Sequence, residues 1–173
     1  MKPNTVGRVS EQDSLAGHYM PYVSVDSGLI SGTRLLTLDG EIPVEVLSIG
    51  DKLITRDCGI STVTHIQRTT RKVHTIAFAA GSLGHTRPES DTLLAADQMV
   101  LVRDWRAQAM FNSERALVAA RALVDGEFII DQGEQKQVLI QIFCDGPHIL
   151  YAGGLELGTA DACRARGAVL DAA

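Results

Sequence analysis

Residues 28 to 57 read Gly28-Leu-Ile-Ser-Gly-Thr-Arg-Leu-Leu-Thr-Leu-Asp-Gly-Glu-Ile-Pro-Val-Glu-Val-Leu-Ser-Ile-Gly-Asp-Lys-Leu-Ile-Thr-Arg-Asp57, followed by Cys58, Gly59 and a β-rich run to Ile66. Asp39-Gly40 is a pair favoured where a hairpin needs positive φ at its central residues. Similar punctuation recurs at Asp57-Cys58-Gly59, Asp125-Gly126 and Asp145-Gly146. Between these turns lie alternating, β-branched segments. Thr62 to Arg68 sets Val63, His65 and Gln67 on one face and Thr62, Thr64 and Ile66 on the other. Val73 to Phe78 and Val138 to Phe143 are similar in kind. His148 to Tyr151, behind Pro147, reads as the second arm of a hairpin turning at Asp145-Gly146. Short strands punctuated in this way predict an all-β fold with little helix.

Two regions are less regular. Ser82 to Ser90 is a loop by composition. Ser113 to Leu123 has an N-cap candidate in Ser113 and is rich in alanine, so local propensity alone predicts a helix there.

A chain of 173 residues is one ordinary domain, long enough to bury a core without metal or disulfide staples. Hydrophobic content of 45% and charged content of 21% fit a globular protein and exclude wholesale disorder. A net charge of −5 with scattered Lys and Arg, and only 5% aromatic residues, argue against a nucleic-acid partner. Cys58, Cys144 and Cys163 form no CxxC and are expected to be reduced.

Residues 1–24 are polar with two prolines and read as a flexible arm; residues 25–157 read as the β domain and 158–173 as a small, polar tail. The N-terminus lacks an apolar h-region, and no run reaches the ~20 apolar residues of a membrane span. A cytoplasmic site is the default expectation, with no membrane partner; export by a route without an N-terminal signal stays open.

The ordered set Gly32-Thr33, Thr37, Asp39-Gly40, Pro43-Val44-Glu45, Leu47, Gly50-Asp51, Thr55 and Asp57 resembles the opening of a Hint (hedgehog/intein) domain, in its bacterial branch. Downstream, Leu93 to Val102, Arg103 to Phe111, the run to Gly126, and His148 to Leu155 match less strongly but in order. The resemblance covers roughly residues 25 to 156. It implies a pseudo-two-fold β-fold of short strands. It also implies that Val118 to Leu123 is a strand and tight turn leading to Asp125-Gly126, with a single helical turn at most.

The chemistry that the resemblance implies is self-processing. A Cys or Ser at the first domain residue attacks the preceding carbonyl, turning an amide into a thioester or ester. A Thr and a His three apart hold the scissile amide and act on its leaving nitrogen. In this chain those positions fall on Gly28, Ala95 and Gln98. Glycine has no nucleophile, alanine no hydroxyl, and glutamine cannot exchange a proton near neutral pH. Splicing also needs an asparagine at the C-terminal end, and the only asparagines are Asn4 and Asn112. A hedgehog-type sterol-binding extension has no evident counterpart.

Ser27, Ser31 and Asp97 neighbour the vacated positions and are the candidates for rescue. A nucleophile shifted by one or three residues addresses a different carbonyl, and a misplacement of about 1 Å can cost ~10²-fold in rate. The five histidines, His18, His65, His74, His85 and His148, show no HxxxH pair and no cysteine at ligand spacing, so no metal site and no cofactor are expected. Cys144 ends an apolar strand and reads as a buried small hydrophobe; Cys58 lies in a turn with no base identifiable in sequence. Trp105, between Asp104 and Arg106, is either a partner anchor or, the reading favoured here, a half-buried cover for a barrel end.

The resulting expectation is a Hint-like domain that has lost autoprocessing and serves a binding or structural role. Its partner would be a protein or peptide, with its own N-terminal arm as one candidate. Two alternatives stand beside it: a residual autoprotease cutting near Gly28 with a serine nucleophile, and a β-protein that binds a small molecule or peptide.

Overall fold

The computed structural model describes residues 26–164; the arm at 1–24, with His18, lies outside them, as does the tail beyond 164. Twelve strands and two short helices follow in order: β1 (Leu29–Ile30), β2 (Arg34–Thr37), β3 (Gly40–Pro43), β4 (Lys52–Thr55), β5 (Gly59–Thr62), β6 (His65–Phe78), β7 (Thr92–Ala95), β8 (Met99–Val102), α1 (Trp105–Phe111), β9 (Ala116–Ala119), β10 (Ile129–Phe143), β11 (Ile149–Ala152), β12 (Leu155–Gly158) and α2 (Ala160–Arg164). The fold is all-β, as the turn punctuation predicts.

The strands form two antiparallel sheets. One runs β1-β10-β6-β7; the other runs β3-β2-β4-β11-β12-β8-β9, with β5 added onto β4. Asp39-Gly40 and Asp57-Cys58-Gly59 do close hairpins: Thr37 pairs with Gly40 and Thr55 with Gly59. The strand β8 and the strand β12 are buried along their whole length. An unbroken apolar run such as Met99-Val-Leu-Val102 suits a strand covered on both faces. Leu35, Leu53, Ile76, Phe78, Leu94 and Leu157 lie in the large apolar core that both sheets share.

Several local expectations are corrected. The segments 73–78 and 138–143 are not short strands but parts of β6 and β10, which run 14 and 15 residues and pair from Phe78↔Ile129 to His65↔Phe143. Thr62 belongs to β5, and the chain leaves strand geometry at Val63 and Thr64 before β6 begins, so 62–68 is two elements. Asp145-Gly146 closes no hairpin. The strand β10 ends in the first sheet and β11 begins in the second, so this turn carries the chain across the core.

Ser113 caps no helix. A helix forms earlier, where the Asp104 carboxylate accepts the Arg106 N–H at 3.0 Å, and it stops at Asn112 with φ +52°. Beyond it, β9 and a 3-10 turn over Ala120–Leu123 match the strand and tight turn that the resemblance implies. Trp105 is not half-buried: it is 70% exposed, with the Arg106 guanidinium 5.1 Å from its ring centre.

One buried charge ties the second sheet together. Glu156 on β12, 4% exposed, accepts from Arg56 at 2.9 Å and Arg103 at 2.8 Å, with Arg87 at 3.6 Å. A carboxylate is tolerated inside only when paired in this way.

Candidate functional site

The strand β1 lies along β10, with Leu29 opposite Ile140 and Ile30 opposite Leu139. This pairing places the Ser27–Gly28 peptide against Gln141. From the other side, Gln98, in the tight connection between β7 and β8, reaches the same peptide. Both residues of the peptide are buried.

Each polar atom of that peptide is held by a carboxamide. The Gly28 N–H donates to Gln98 Oε1 at 3.2 Å, and Gln141 Nε2 donates to the Ser27 carbonyl at 2.9 Å. The orientation of Gln98 is fixed by its own amide, whose Nε2 donates to the carbonyls of Met99 at 3.1 Å and Gly158 at 2.9 Å. With both donor hydrogens taken by carbonyls, only the oxygen is left to face Gly28. Gln98 is 1% exposed, so these bonds form away from water, where an unmade bond is expensive.

Gly28 itself is at φ +136°, a conformation suited to glycine. A Cβ built there would meet Gln141 Cγ at 3.2 Å, with the Ile140 carbonyl oxygen and Leu139 Cβ at 3.4 Å. Ala95 is fully buried, and its carbonyl accepts the Gln98 N–H at 3.0 Å. The fold therefore brings together the three positions, Gly28, Ala95 and Gln98, to which the resemblance assigns nucleophile, Thr and His.

The rescue candidates are placed as follows. The Ser27 hydroxyl is buried and lies 3.3 Å from Gln141 Nε2. The Ser31 hydroxyl, exposed, donates to Glu45, which also accepts the Gly32 N–H. The Ser31 hydrogen bond is the first cause holding the Glu45 carboxyl below its ordinary value, which makes it a weaker base. Asp97 is ion-paired with Arg121, and its N–H donates to the Asp26 carbonyl at 3.3 Å.

Gln141 and Gly158 were not among the sequence candidates. A polar residue interrupting Val138-Leu-Ile-Gln-Ile-Phe143 was the one available signal for Gln141. Cys163, also missed, is buried on α2 with its sulfur 3.7 Å from the Gly158 carbonyl, and burial pushes its thiol up to about 11. Cys144 is buried as expected, its thiol also pushed up by burial.

The other histidines are dispersed. His65 packs its ring on Phe143, His74 faces Asp131 at 2.5 Å, and His85 sits in the loop 82–90 at φ +48°. His148 is different: the fold sets it 3.6 Å from Cys58 Sγ, 90 residues away in sequence, supplying the neighbouring base that sequence spacing did not reveal.

Two antiparallel sheets around a buried peptide held at both ends define an all-β domain of strands and hairpins. The family model of the Hint domain matches residues 27–162, and the chain belongs to that family. No curated protein matches the sequence. Among solved structures, the bacterial intein-like domain from Clostridium thermocellum aligns at TM-score 0.54 and 16% identity, over 77% of this chain and 97% of that one. A DnaB intein from Synechocystis sp. PCC 6803 aligns at TM-score 0.53 and 12% identity, over 77% and 99%. At these identities the likeness is one of fold. No helix among the described residues is long and apolar enough to cross a membrane.

Proposed function

We propose that this Hint domain holds the Ser27–Gly28 peptide instead of cleaving it, and that its frame serves a binding or structural role toward a protein or peptide. The observation that carries this reading is the pair of bonds from Gln98 and Gln141 to the two ends of one buried peptide. Cleavage needs an attacking atom on one side of that carbonyl and a proton for the departing nitrogen. Gly28 offers no side-chain atom, and Gln98 accepts a hydrogen bond from the nitrogen to which an acid would have to donate. Gln141 still donates to the carbonyl oxygen, as an oxyanion stabiliser would, but a stabiliser without a nucleophile leaves an amide intact.

The binding role draws support from a cleft elsewhere on the domain. Trp105 and Phe128, both exposed, line an open cleft of about 470 Å³ with Leu83, His85 and Arg106. Tryptophan is among the residue types that dominate protein interfaces, and Trp105 is exposed. The chain's own residues 1–24 are one candidate partner; they precede Asp26 in sequence, whose carbonyl accepts the Asp97 N–H.

Intact-mass spectrometry of the purified full chain, incubated for days with and without hydroxylamine or a thiol, tests the reading. A single species at the full-length mass is expected throughout. Time-dependent release of residues 1–26 or 1–27, hastened by hydroxylamine, would overturn it in favour of a serine-dependent autoprotease.

A further inference from the structure

The turn between β4 and β5 and the start of β11 bring a second group of chemically capable side chains together, apart from the Gly28 peptide. His148 Nδ1 lies 2.6 Å from Asp57 Oδ2 and 3.6 Å from Cys58 Sγ, while His148 Nε2 lies 2.8 Å from Asp145 Oδ1. One ligand atom each from Asp57, Cys58 and His148 falls within 4.8 Å of the others. We propose that these three residues form a binding site for one divalent transition-metal ion of the zinc class. The ligands are Asp57 Oδ2, Cys58 Sγ and His148 Nδ1, and the fourth position is open to water.

Four observations converge on that assignment. The first is distance. A tetrahedral ion with bonds of about 2.0–2.3 Å holds its donors roughly 3.3–3.7 Å apart. The sulfur–nitrogen separation already has this value, and Asp57 Oδ2 needs to withdraw by about 0.7 Å. The second is donor type: one thiol, one imidazole and one carboxylate suit a borderline-soft ion and not calcium or magnesium, which take oxygen.

The third is the placement of the imidazole. Carboxylate oxygens face both ring nitrogens, Asp57 Oδ2 at Nδ1 and Asp145 Oδ1 at Nε2, so a cation held at Nδ1 has one carboxylate beside it and a second behind the ring. The fourth is support. Asp145 also accepts the Ser61 hydroxyl at 2.7 Å, giving the ring an anchored outer carboxylate of the kind that orients metal-bound histidines. Asp57 is held through its other oxygen, which accepts the Ile149 N–H at 3.0 Å, and Thr55 Oγ1 lies 3.1 Å from the Cys58 sulfur. Asp57 and Cys58 are exposed and His148 is half-buried, so an ion can enter from solvent.

Loading replaces the Cys58 S–H by a sulfur–metal bond and releases that proton to solvent. The metal takes the Nδ1 lone pair, so a proton carried on Nδ1 is released with it, and no electron is transferred. The ion would staple the β4–β5 hairpin to the residue before β11, adding to the hydrogen bonds that join Asp57 to Ile149 and Ser61 to Asp145.

The test titrates cobalt(II) chloride and then zinc chloride into the reduced, metal-stripped full chain. The expected result is one cobalt per chain with a thiolate-to-cobalt charge-transfer band, displaced by zinc, and a higher unfolding temperature with zinc present. Cys58→Ser removes the band and weakens zinc binding by at least about tenfold, and Asp145→Asn weakens it by about 10–100-fold. His74→Gln, in the exposed pair with Asp131, leaves binding unchanged. Absence of the band in the unmodified protein, or its survival in Cys58→Ser, overturns the proposal. Should Cys58→Ser fail to fold, alkylation of Cys58 in the native protein decides: zinc must block it, and unhindered alkylation overturns the site.

Discussion

The Ser27–Gly28 peptide gives the sharpest reading at the scale of single residues. Gly28 combines positive φ with close contacts for any Cβ, so the site is shaped around having no side chain there. Gly28→Ala is expected to destabilise the domain by about 1–2 kcal/mol in urea unfolding. Gly28→Cys should be destabilised at least as much and remain uncleaved, because the thiol arrives on a strained backbone without an acid at residue 98. Gln98→Leu keeps volume but takes the acceptor from the buried Gly28 N–H and removes the amide's bonds to the carbonyls of Met99 and Gly158. A loss of about 2–3 kcal/mol is expected by the same measurement. The contact between Gly28 and Gln98 joins two positions that the sequence singled out, Gly28 within the long ordered pattern and Gln98 within the weaker match downstream. Gln141 and Gly158 were not singled out: Gln141 meets the peptide, and Gly158 anchors Gln98, through strand register, which no local signal encodes.

At the scale of elements, the design of the second sheet centres on Glu156. Three arginines from separate segments converge on one carboxylate, so Glu156→Gln leaves their charge uncompensated; a loss of about 3 kcal/mol is expected in urea unfolding. The start of β10 depends on a different carboxylate. Burial alone would push the Asp125 carboxyl up, but its Oδ1 accepts the N–H groups of Ile129, Glu127 and Phe128, and these pull it below its ordinary value, with Arg106 adding to the effect. A depressed carboxylate contributes stability above its unfolded value and loses it as pH falls through the folded one. Unfolding midpoints of the unmodified protein should therefore fall below about pH 4, and Asp125→Asn should flatten part of that fall. Turn residues such as Asp39-Gly40 announced their hairpins because the signal is local. The length of β6 and β10, and the crossing at Asp145-Gly146, depend on partners more than fifty residues away and were misread for that reason. Trp105 was misread because α1, capped by Asp104, turns its side chain outward.

For the whole molecule, a Hint-domain frame surrounds a buried peptide that two glutamines hydrogen-bond at its two ends. The all-β class followed from alternation and turns, and the family from residues 28 to 57. The cluster of Asp57, Cys58 and His148 stayed hidden because its members are 90 residues apart and meet only once β4 and β11 lie side by side. What the domain does with its frame rests on whether the held peptide is an integral part of the folded core. Hydrogen exchange at the Gly28 amide, followed by NMR, measures this directly. The Gly28 N–H should exchange as slowly as the paired amides of β10, and at least about tenfold faster than those amides in Gln98→Leu. A Gly28 amide that exchanges like an exposed loop in the unmodified protein, or that is indifferent to the loss of Gln98, would contradict the account.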